Sequence, residues 1–133
     1  MITYSTSLDS ITSDALDGFF SEWRERPSSN ALYRILHGSD HVVLALDEER
    51  IVGYITAISD GVSCAYIPHL EVREEFRGRG IGSALVERML WSLGDLYMID
   101  LVCDESLRSF YERQGFRAYN AMVIRNYRRQ ALD

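Results

Sequence analysis

The sequence predicts an α+β fold in which a mixed sheet combines an antiparallel meander with a βαβ unit. Two apolar runs, 41–46 and 51–59, flank a short polar turn, and a third run follows an Asp-Gly turn, which is typical of a meander. The apolar run 97–103 comes one long helix later, so a right-handed crossover predicts a parallel strand buried on both faces. The 133 residues suffice for a single domain, 1–133.

The N-terminal third predicts a strand and two helices. Residues 2–4 read as a short strand, and Thr12 or Ser13 caps a helix that continues to Trp23. Residues 28–29 open a second, shorter helix.

The C-terminal end predicts one more helix and the strands that close the sheet. Asp104 caps this helix and Gly115 ends it. Residues 117–127 then supply one or two closing strands.

The strongest local pattern is a glycine-rich turn, residues 77–82, before a long amphipathic helix. Apolar residues recur every four positions from Ile81 to Leu93, which predicts a helix with one buried face. Glycines near a helix start each cost about 1 kcal/mol relative to alanine. They leave the N–H groups of a helix N-terminus open to a phosphate, and the neighbouring arginines add positive charge. A turn that needs glycine only for packing is the alternative.

Two other phosphate-binding patterns fit this turn poorly. A P-loop ends in Gly-Lys-Ser/Thr, and the chain contains no lysine. A dinucleotide-binding fingerprint requires glycine where Ser83 stands, although Asp100 mimics its ribose-binding acid. An oxidoreductase domain is therefore a weaker hypothesis.

Two motifs lie in the C-terminal half: Arg77-x-x-Gly80-x-Gly82 and Phe110-Tyr111-x-x-x-Gly115-Phe116. They resemble the Arg/Gln-x-x-Gly-x-Gly/Ala and Phe-Tyr-x-x-x-Gly-Phe signatures of the GCN5-related N-acetyltransferases (GNAT). The resemblance implies the GNAT acyl-coenzyme A N-acyltransferase fold, a mixed central sheet of six to seven strands with four helices and a V-shaped split between strands four and five. It also implies acetyl-coenzyme A (acetyl-CoA) as cosubstrate, and no metal.

The resemblance also assigns the residues that hold the coenzyme. The backbone of the glycine turn holds the pyrophosphate, the Leu70 N–H polarises the acetyl carbonyl, and Val72 pairs with the pantetheine arm. Pro68 lacks an N–H, so it marks the bulge that opens the cleft. The cofactor-binding residues implied in this way are Leu70, Glu71, Val72, Arg77, Gly78, Arg79, Gly80, Ile81, Gly82 and Ser83.

Tyr111 and Asp104 are candidates for the chemistry. Tyr111 stands where the family has the acid that protonates the leaving thiolate, and an ordinary tyrosine pKa near 10 keeps the proton in place at neutral pH; a core aromatic is the alternative. Asp104 stands where the glucosamine-6-phosphate N-acetyltransferase branch has an aspartate that positions the amine, and it equally fits a helix cap. Cys103 invites the rival mechanism of a cysteine nucleophile, although a cysteine at a buried strand end is usually inert.

His69 is the candidate general base. Relatives carry an acid or histidine at positions that match Tyr66 or Pro68, and this chain has neither there. Strand alternation places His69 and Glu71 on the opposite face unless the bulge shifts the phase. Histidine has the better pKa for removing a proton through water.

The composition of the chain indicates which classes of partner and which cellular compartment to expect. The net charge of −6 argues against nucleic acid and is compatible with a small cationic amine. Two cysteines form no disulfide framework, no apolar run suits a membrane span, and the first residues lack a basic signal region, so we expect a cytoplasmic protein. Family members often pair through closing strands, which implies a homodimer. The leading hypothesis is an N-acetyltransferase in which a small primary amine attacks directly in a ternary complex; the alternative is an acetyl-CoA-binding regulatory module.

Overall fold

The computed structural model describes residues 1–132, which form one five-stranded sheet and three α-helices. The strands are β1 (Ile2–Ser5), β2 (His41–Asp47), β3 (Arg50–Ser59), β4 (Cys64–Val72) and β5 (Met98–Asp100). The helices are α1 (Ser29–Gly38), α2 (Ile81–Leu93) and α3 (Arg108–Glu112). The strands lie side by side in chain order. Neighbours from β1 to β4 are antiparallel, and β5 joins β4 in parallel, which confirms the predicted mixed sheet.

The two faces of the sheet are covered by different helices. α2 packs on one face, where its four-residue repeat is buried as predicted: Ile81, Leu85, Met89 and Leu93. α1 packs on the opposite face with the segment before it. Its start is also as predicted, since the Ser28 hydroxyl accepts a hydrogen bond from Ala31 N at 3.1 Å.

The helix predicted to continue to Trp23 does not form. Residues Asp14–Leu16 make a single 3-10 turn, and then the backbone enters the left-handed region at Gly18 (φ +92°) and Phe20 (φ +62°). A helix cannot pass through such residues. The prediction was wrong because a contact with distant β4, described below, fixes this loop in place of local hydrogen bonds.

The C-terminal quarter differs most from the prediction. A 3-10 turn, Glu105–Leu107, precedes α3, and Gly115 (φ +100°) ends it with Phe116 N donating to Tyr111 O, as in a Schellman motif. The closing strands expected in 117–127 are absent from the described chain, so the sheet has five strands and not six or seven, with three α-helices and not four.

The last strand of the sheet is also shorter and more exposed than predicted. β5 has three residues, and Met98 is 41% exposed, so the prediction of burial on both faces was wrong. The physical reason is that nothing in residues 1–132 pairs with its outer edge.

Candidate active site

A bulge in β4 opens a cleft between β4 and β5. Across β3, Thr56 pairs with His69 and Ile58 with Tyr66, so Ala57 alone faces two β4 residues, Ile67 and Pro68. The parallel pairing with β5 covers only residues 64–66 of β4, which then runs on to Val72 without it. The bulge predicted at Pro68 and the split between strands four and five are therefore both present.

Beyond the bulge, part of the β4 backbone faces this cleft. Arg73 N donates to Val52 O at 2.8 Å, so residue 73 bonds towards β3. Hydrogen bonding in an antiparallel pair alternates along the strand, so residues 71 and 69 also bond towards β3. Leu70 and Val72 point their N–H and C=O groups the other way, into the cleft. This is the arrangement that the resemblance requires of these two residues.

The glycine turn lies at one end of the cleft. Gly78 (φ +77°) and Gly80 (φ +81°) both occupy the left-handed region, and a Cβ added to either would meet no atom within 4 Å. The first helical hydrogen bond of α2 is donated by Ala84 N to Gly80 O. The N–H groups of Ile81, Gly82 and Ser83 therefore have no partner within the helix, which is the condition for an anion site at a helix N-terminus.

The arginines of the turn contact other parts of the protein. Arg77 Nε donates to Val72 O at 2.9 Å, and its Nη1 lies 3.1 Å from a Glu22 carboxylate oxygen. Arg79 Nη2 donates to Glu75 O, and its guanidinium lies over the ring of Phe76. Arg77 thus links β4 to the loop before α1, a contact that the motif alone does not reveal.

Tyr111 lies on α3 and is 9% exposed. Its ring makes edge contacts with Phe110 and Phe116, at centroid distances of 4.9 and 5.8 Å. Burial, with a smaller contribution from nearby Cys103, raises the pKa of Tyr111 to about 12. The hydroxyl therefore keeps its proton throughout the neutral range.

Asp104 and Cys103 follow β5, and both are exposed. Asp104 occupies the N-cap position of the 3-10 turn, where its carbonyl accepts from Leu107 N while its side chain makes no capping bond. Its carboxylate is thus not committed to the cap. Partial desolvation of the Cys103 thiol and the neighbouring carboxylates of Asp104 and Glu105 raise the pKa of this thiol, which disfavours a thiolate nucleophile.

The one-residue bulge shifts the phase of β4, so that His69 lies on the same face as Tyr66. His69 packs against the rings of Phe20 and Trp23, at centroid distances of 6.0 and 6.1 Å. Burial lowers its pKa below the ordinary value of 6.5, so the imidazole is neutral at pH 7. Its partner across the strands, Thr56, is fully buried, and its hydroxyl has no hydrogen-bond partner among the described residues.

Glu71 holds the loop before α1, a role that sequence reasoning missed. Its carboxylate accepts hydrogen bonds from Phe20 N at 2.7 Å and Ser21 N at 3.3 Å. Burial raises the pKa of Tyr54, and the negative charge of Glu71 raises it further. Arg73 also stabilises this loop, because its Nη1 donates a hydrogen bond to Asp17 O at 2.7 Å. The signal available in sequence was a charged residue in a strand with apolar neighbours, which implies a buried partner.

Two absences hold within residues 1–132. No three His, Cys, Asp or Glu side chains lie close enough together to hold a metal ion. None of the helices in the same range has the length and apolar character needed to cross a membrane.

Comparison with known proteins places this geometry in one family. The model of the acetyltransferase (GNAT) family matches residues 8–116. A solved structure of a proposed acetyltransferase from Deinococcus radiodurans R1 is 44% identical, with a TM-score of 0.94 over 98% of this chain and 92% of that one. A GNAT-family acetyltransferase from Streptococcus pneumoniae TIGR4 is 26% identical, with a TM-score of 0.78 over 95% of this chain and 98% of that one.

A curated relative matches over a shorter region. GCN5-related N-acetyltransferase 2, a chloroplastic protein of Arabidopsis thaliana, is 36% identical over 73 residues, which are 53% of this chain and 28% of the relative. The matched region therefore spans less than a third of that relative's length.

Proposed function

The chain belongs to the acetyltransferase (GNAT) family, and we propose that it transfers the acetyl group of acetyl-CoA to a primary amine of a small molecule. The single observation that carries this proposal is the cleft between β4 and β5. It has the free N-terminus of α2 at one end and Tyr111 beside it, while the backbone of Leu70 and Val72 faces its interior. Such a cleft suits an extended, anionic thioester cosubstrate. A cytoplasmic location is part of the proposal.

The coenzyme would lie along the backbone of Leu70, Val72 and the glycine turn. Glu71, which the resemblance includes among the cofactor-binding residues, turns its backbone towards β3 and is left out of this proposal. The N–H groups of Ile81, Gly82 and Ser83 bind the pyrophosphate, since nothing else in the helix uses them. Arg77 adds charge after leaving Glu22, because a phosphate is a stronger partner than an exposed carboxylate. The N–H of Val72 donates to the amide-bearing arm of the coenzyme, while the carbonyl of Val72 accepts from Arg77 Nε.

The amine attacks the acetyl carbonyl directly, in a ternary complex. Acetyl-CoA supplies the thioester, so that a C–N bond forms, the C–S bond breaks and the sulfur leaves with the electron pair. The Leu70 N–H donates to the carbonyl oxygen as negative charge develops there. Asp104, whose carboxylate is free of the helix cap, positions the amine from the end of β5.

Tyr111 donates a hydrogen bond to the departing sulfur. With a pKa of about 12, it is a weaker acid than a thiol of ordinary pKa near 8.5 by roughly three orders of magnitude. We therefore expect the hydroxyl to stabilise the thiolate in the transition state, while solvent completes the protonation. A hydrogen bond to the thiolate contributes less than full proton transfer, but it still requires the tyrosine hydroxyl.

His69 removes the proton from the attacking amine, directly or through a water. The bulge turns it to the face of the loop before α1, and burial keeps its imidazole neutral at pH 7. Glu71 is excluded from this task because its carboxylate is already bound by Phe20 N and Ser21 N. The acid or histidine that relatives carry at the positions matching Tyr66 or Pro68 is missing from this chain. An acetyl-CoA-binding regulatory module with little transfer activity is therefore the alternative.

Thiol release from acetyl-CoA, measured over a panel of primary amines, tests the proposal. Tyr111→Phe keeps the ring and removes only the hydroxyl, so acetyl-CoA should bind normally while kcat falls by about 10²–10³-fold, the usual cost of losing one hydrogen-bond donor to the transition state. Tyr4→Phe, on the distant strand β1, is the matched control. Wild-type kcat in Tyr111→Phe, with chemistry limiting the rate, would exclude the role given to Tyr111. Tight coenzyme binding without turnover of any amine would favour the regulatory module.

A further inference from the structure

A threonine hydroxyl is buried in the sheet without a hydrogen-bond partner. Within residues 1–132, and tyrosines aside, Thr56 is the one polar residue that is buried, with 0% of its surface exposed. Its Oγ1 is also the one buried side-chain nitrogen or oxygen in this range that makes no hydrogen bond. A buried hydroxyl without a partner destabilises the folded state. Valine has the same branched shape and lacks the hydroxyl, so packing alone does not require threonine here.

The place of Thr56 in the sheet is directly opposite His69. The two residues form the first cross-strand pair after the bulge in β4. Opposite residues in an antiparallel pair have their Cβ atoms about 4.5–5.5 Å apart, with both side chains on one face. The bulge that turns His69 to the face of Phe20 and Trp23 therefore also brings its imidazole to the unpartnered hydroxyl.

The other neighbours of Thr56 on this face offer its hydroxyl no free polar group. Val42, its partner on β2, has no polar atom in its side chain. Glu71, diagonally across on β4, already accepts two backbone hydrogen bonds from the loop before α1. The hydroxyl of Tyr54, two residues away on β3, stands at the far end of an aromatic ring. Among these neighbours, His69 is the partner that remains.

The imidazole of His69 also lacks a group that fixes its protons. Burial is the cause of its lowered pKa, and within residues 1–132 neither a charge nor a hydrogen bond contributes. A neutral imidazole has one N–H and one unprotonated nitrogen, and a hydrogen bond at one of them decides which nitrogen holds the proton. A general base needs its unprotonated nitrogen towards the amine. The role given to His69 therefore requires a partner at its other nitrogen.

We propose that Thr56 is a positioning residue for His69, whose imidazole donates one N–H to the Thr56 hydroxyl and turns its unprotonated nitrogen to the amine. This inference rests on the proposed function, in which His69 is the general base. In the present rotamers the two side chains lie on one face without this bond. A half-turn of the imidazole exchanges its nitrogens with carbons and leaves the ring in place, and this torsion is broad.

The hydrogen bond serves both protonation states of the imidazole. The proton passes from the amine nitrogen to the unprotonated nitrogen of His69 as the C–N bond forms. The other nitrogen remains an N–H donor throughout, so the Thr56 oxygen accepts from it before and after the transfer. Thr56 therefore orients the base without contacting the amine or the thioester.

Nuclear magnetic resonance of the isotope-labelled full chain tests the hydrogen bond without reference to turnover. Long-range proton–nitrogen correlations give the tautomer of each of the three histidines, and the spectrum of His69→Gln identifies the signals of His69. Above pH 6.5, where the imidazole is neutral, wild-type His69 should populate one tautomer. Thr56→Val should shift it towards a mixture of both. Equal tautomer populations in the two proteins would overturn the proposal.

Turnover with acetyl-CoA gives a second reading. Thr56→Val keeps the shape of the side chain and should lower kcat by up to about tenfold, the weight of one ordinary hydrogen bond, with the Kd for acetyl-CoA unchanged. Thr56→Ser keeps the hydroxyl and should retain both the tautomer and kcat. If Thr56 only filled the core, valine would be harmless and serine harmful, and that result would refute the positioning role. Thr3→Val, the same change at an exposed position on β1, is the matched control.

Two further measurements separate this inference from the proposed function. In the His69→Gln background, Thr56→Val should cause no additional loss of kcat, because the hydroxyl acts only through the imidazole; a second loss of full size is incompatible with the proposal. A higher Tm in Thr56→Val than in the wild type would show that the hydroxyl has no partner in solution, and would also overturn it. If the wild type acetylates no amine, the proposed function fails, and the tautomer measurement still decides whether Thr56 binds His69.

Discussion

Alanine at Gly80 and alanine at Gly82 should affect coenzyme binding and stability differently, although both glycines belong to one motif. A Cβ at Gly80 would point into open space at the start of α2, where no protein atom lies within 4 Å. A Cβ at Gly82 would point at Phe110, with 3.6 Å to the nearest ring atom, an ordinary van der Waals contact. The first methyl would therefore enter the space assigned to the pyrophosphate, and the second would fill space inside the protein.

The backbone sets the expected change in stability. Gly80 has φ +81°, so an L-residue there costs roughly 1–2 kcal/mol. Gly82 lies in the first turn of α2, where alanine is favoured over glycine by up to about 1 kcal/mol. At roughly 4 °C per kcal/mol for a domain of this size, Gly80→Ala should lower Tm and Gly82→Ala should leave it unchanged or raise it by a few degrees.

Thermal unfolding without ligand and calorimetric titration with coenzyme A measure the two effects separately. Gly80→Ala should bind at least about tenfold more weakly, equivalent to 1.4 kcal/mol, while Gly82→Ala should bind as the wild type does. If Gly80→Ala is folded and binds normally, the N-terminus of α2 is not the phosphate site. If Gly82→Ala is folded and loses binding, the methyl enters the ligand space and the reasoning about Phe110 is wrong.

Two further predictions concern the side chains around the cleft. The pKa of His69 lies below 6.5, so kcat/KM should fall as the pH drops through this lowered pKa and the imidazole becomes charged. In His69→Gln this decrease at acid pH should be absent. The variant should also be slower by about 10²-fold or more, because the general base is lost. An unchanged acid limb in the variant would assign it to another group. Arg77→Ala should weaken coenzyme A binding, by a factor that shrinks at high salt, whereas Glu22→Gln should not weaken it, since it frees the guanidinium from a competing carboxylate. Weaker binding in Glu22→Gln would mean that the ion pair itself is needed for the site.

Burial of His69 also bears on stability. A histidine whose folded pKa is lowered binds fewer protons in the native state than in the unfolded chain, so its contribution is present above the unfolded pKa of about 6.5 and is lost as the pH falls below it. In His69→Gln, this part of the acid destabilisation should be absent.

The sequence by itself determined the elements whose patterns are local and repeated. Three such features depend only on residues nearby in the sequence, so they can be predicted before the fold is known. They are the four-residue repeat of α2, the N-cap at Ser28 and the helix end at Gly115. The glycine turn and the bulge at Pro68 could be predicted for the same reason. Glycine allows a left-handed backbone, and proline removes an N–H, at the residue itself. These features are enough to identify the family and the position of the cleft.

Only the tertiary structure decided the features that depend on distant partners. The segment 12–23 has a helical pattern, but Glu71 binds Phe20 N and Ser21 N across 51 and 50 residues of sequence, and that contact outweighs helix propensity. The face on which His69 lies depends on a one-residue bulge, which inverts every side chain after it. Residues 117–125 have the composition of a strand and form none, because within residues 1–132 no backbone hydrogen bond joins them to the edge of the sheet.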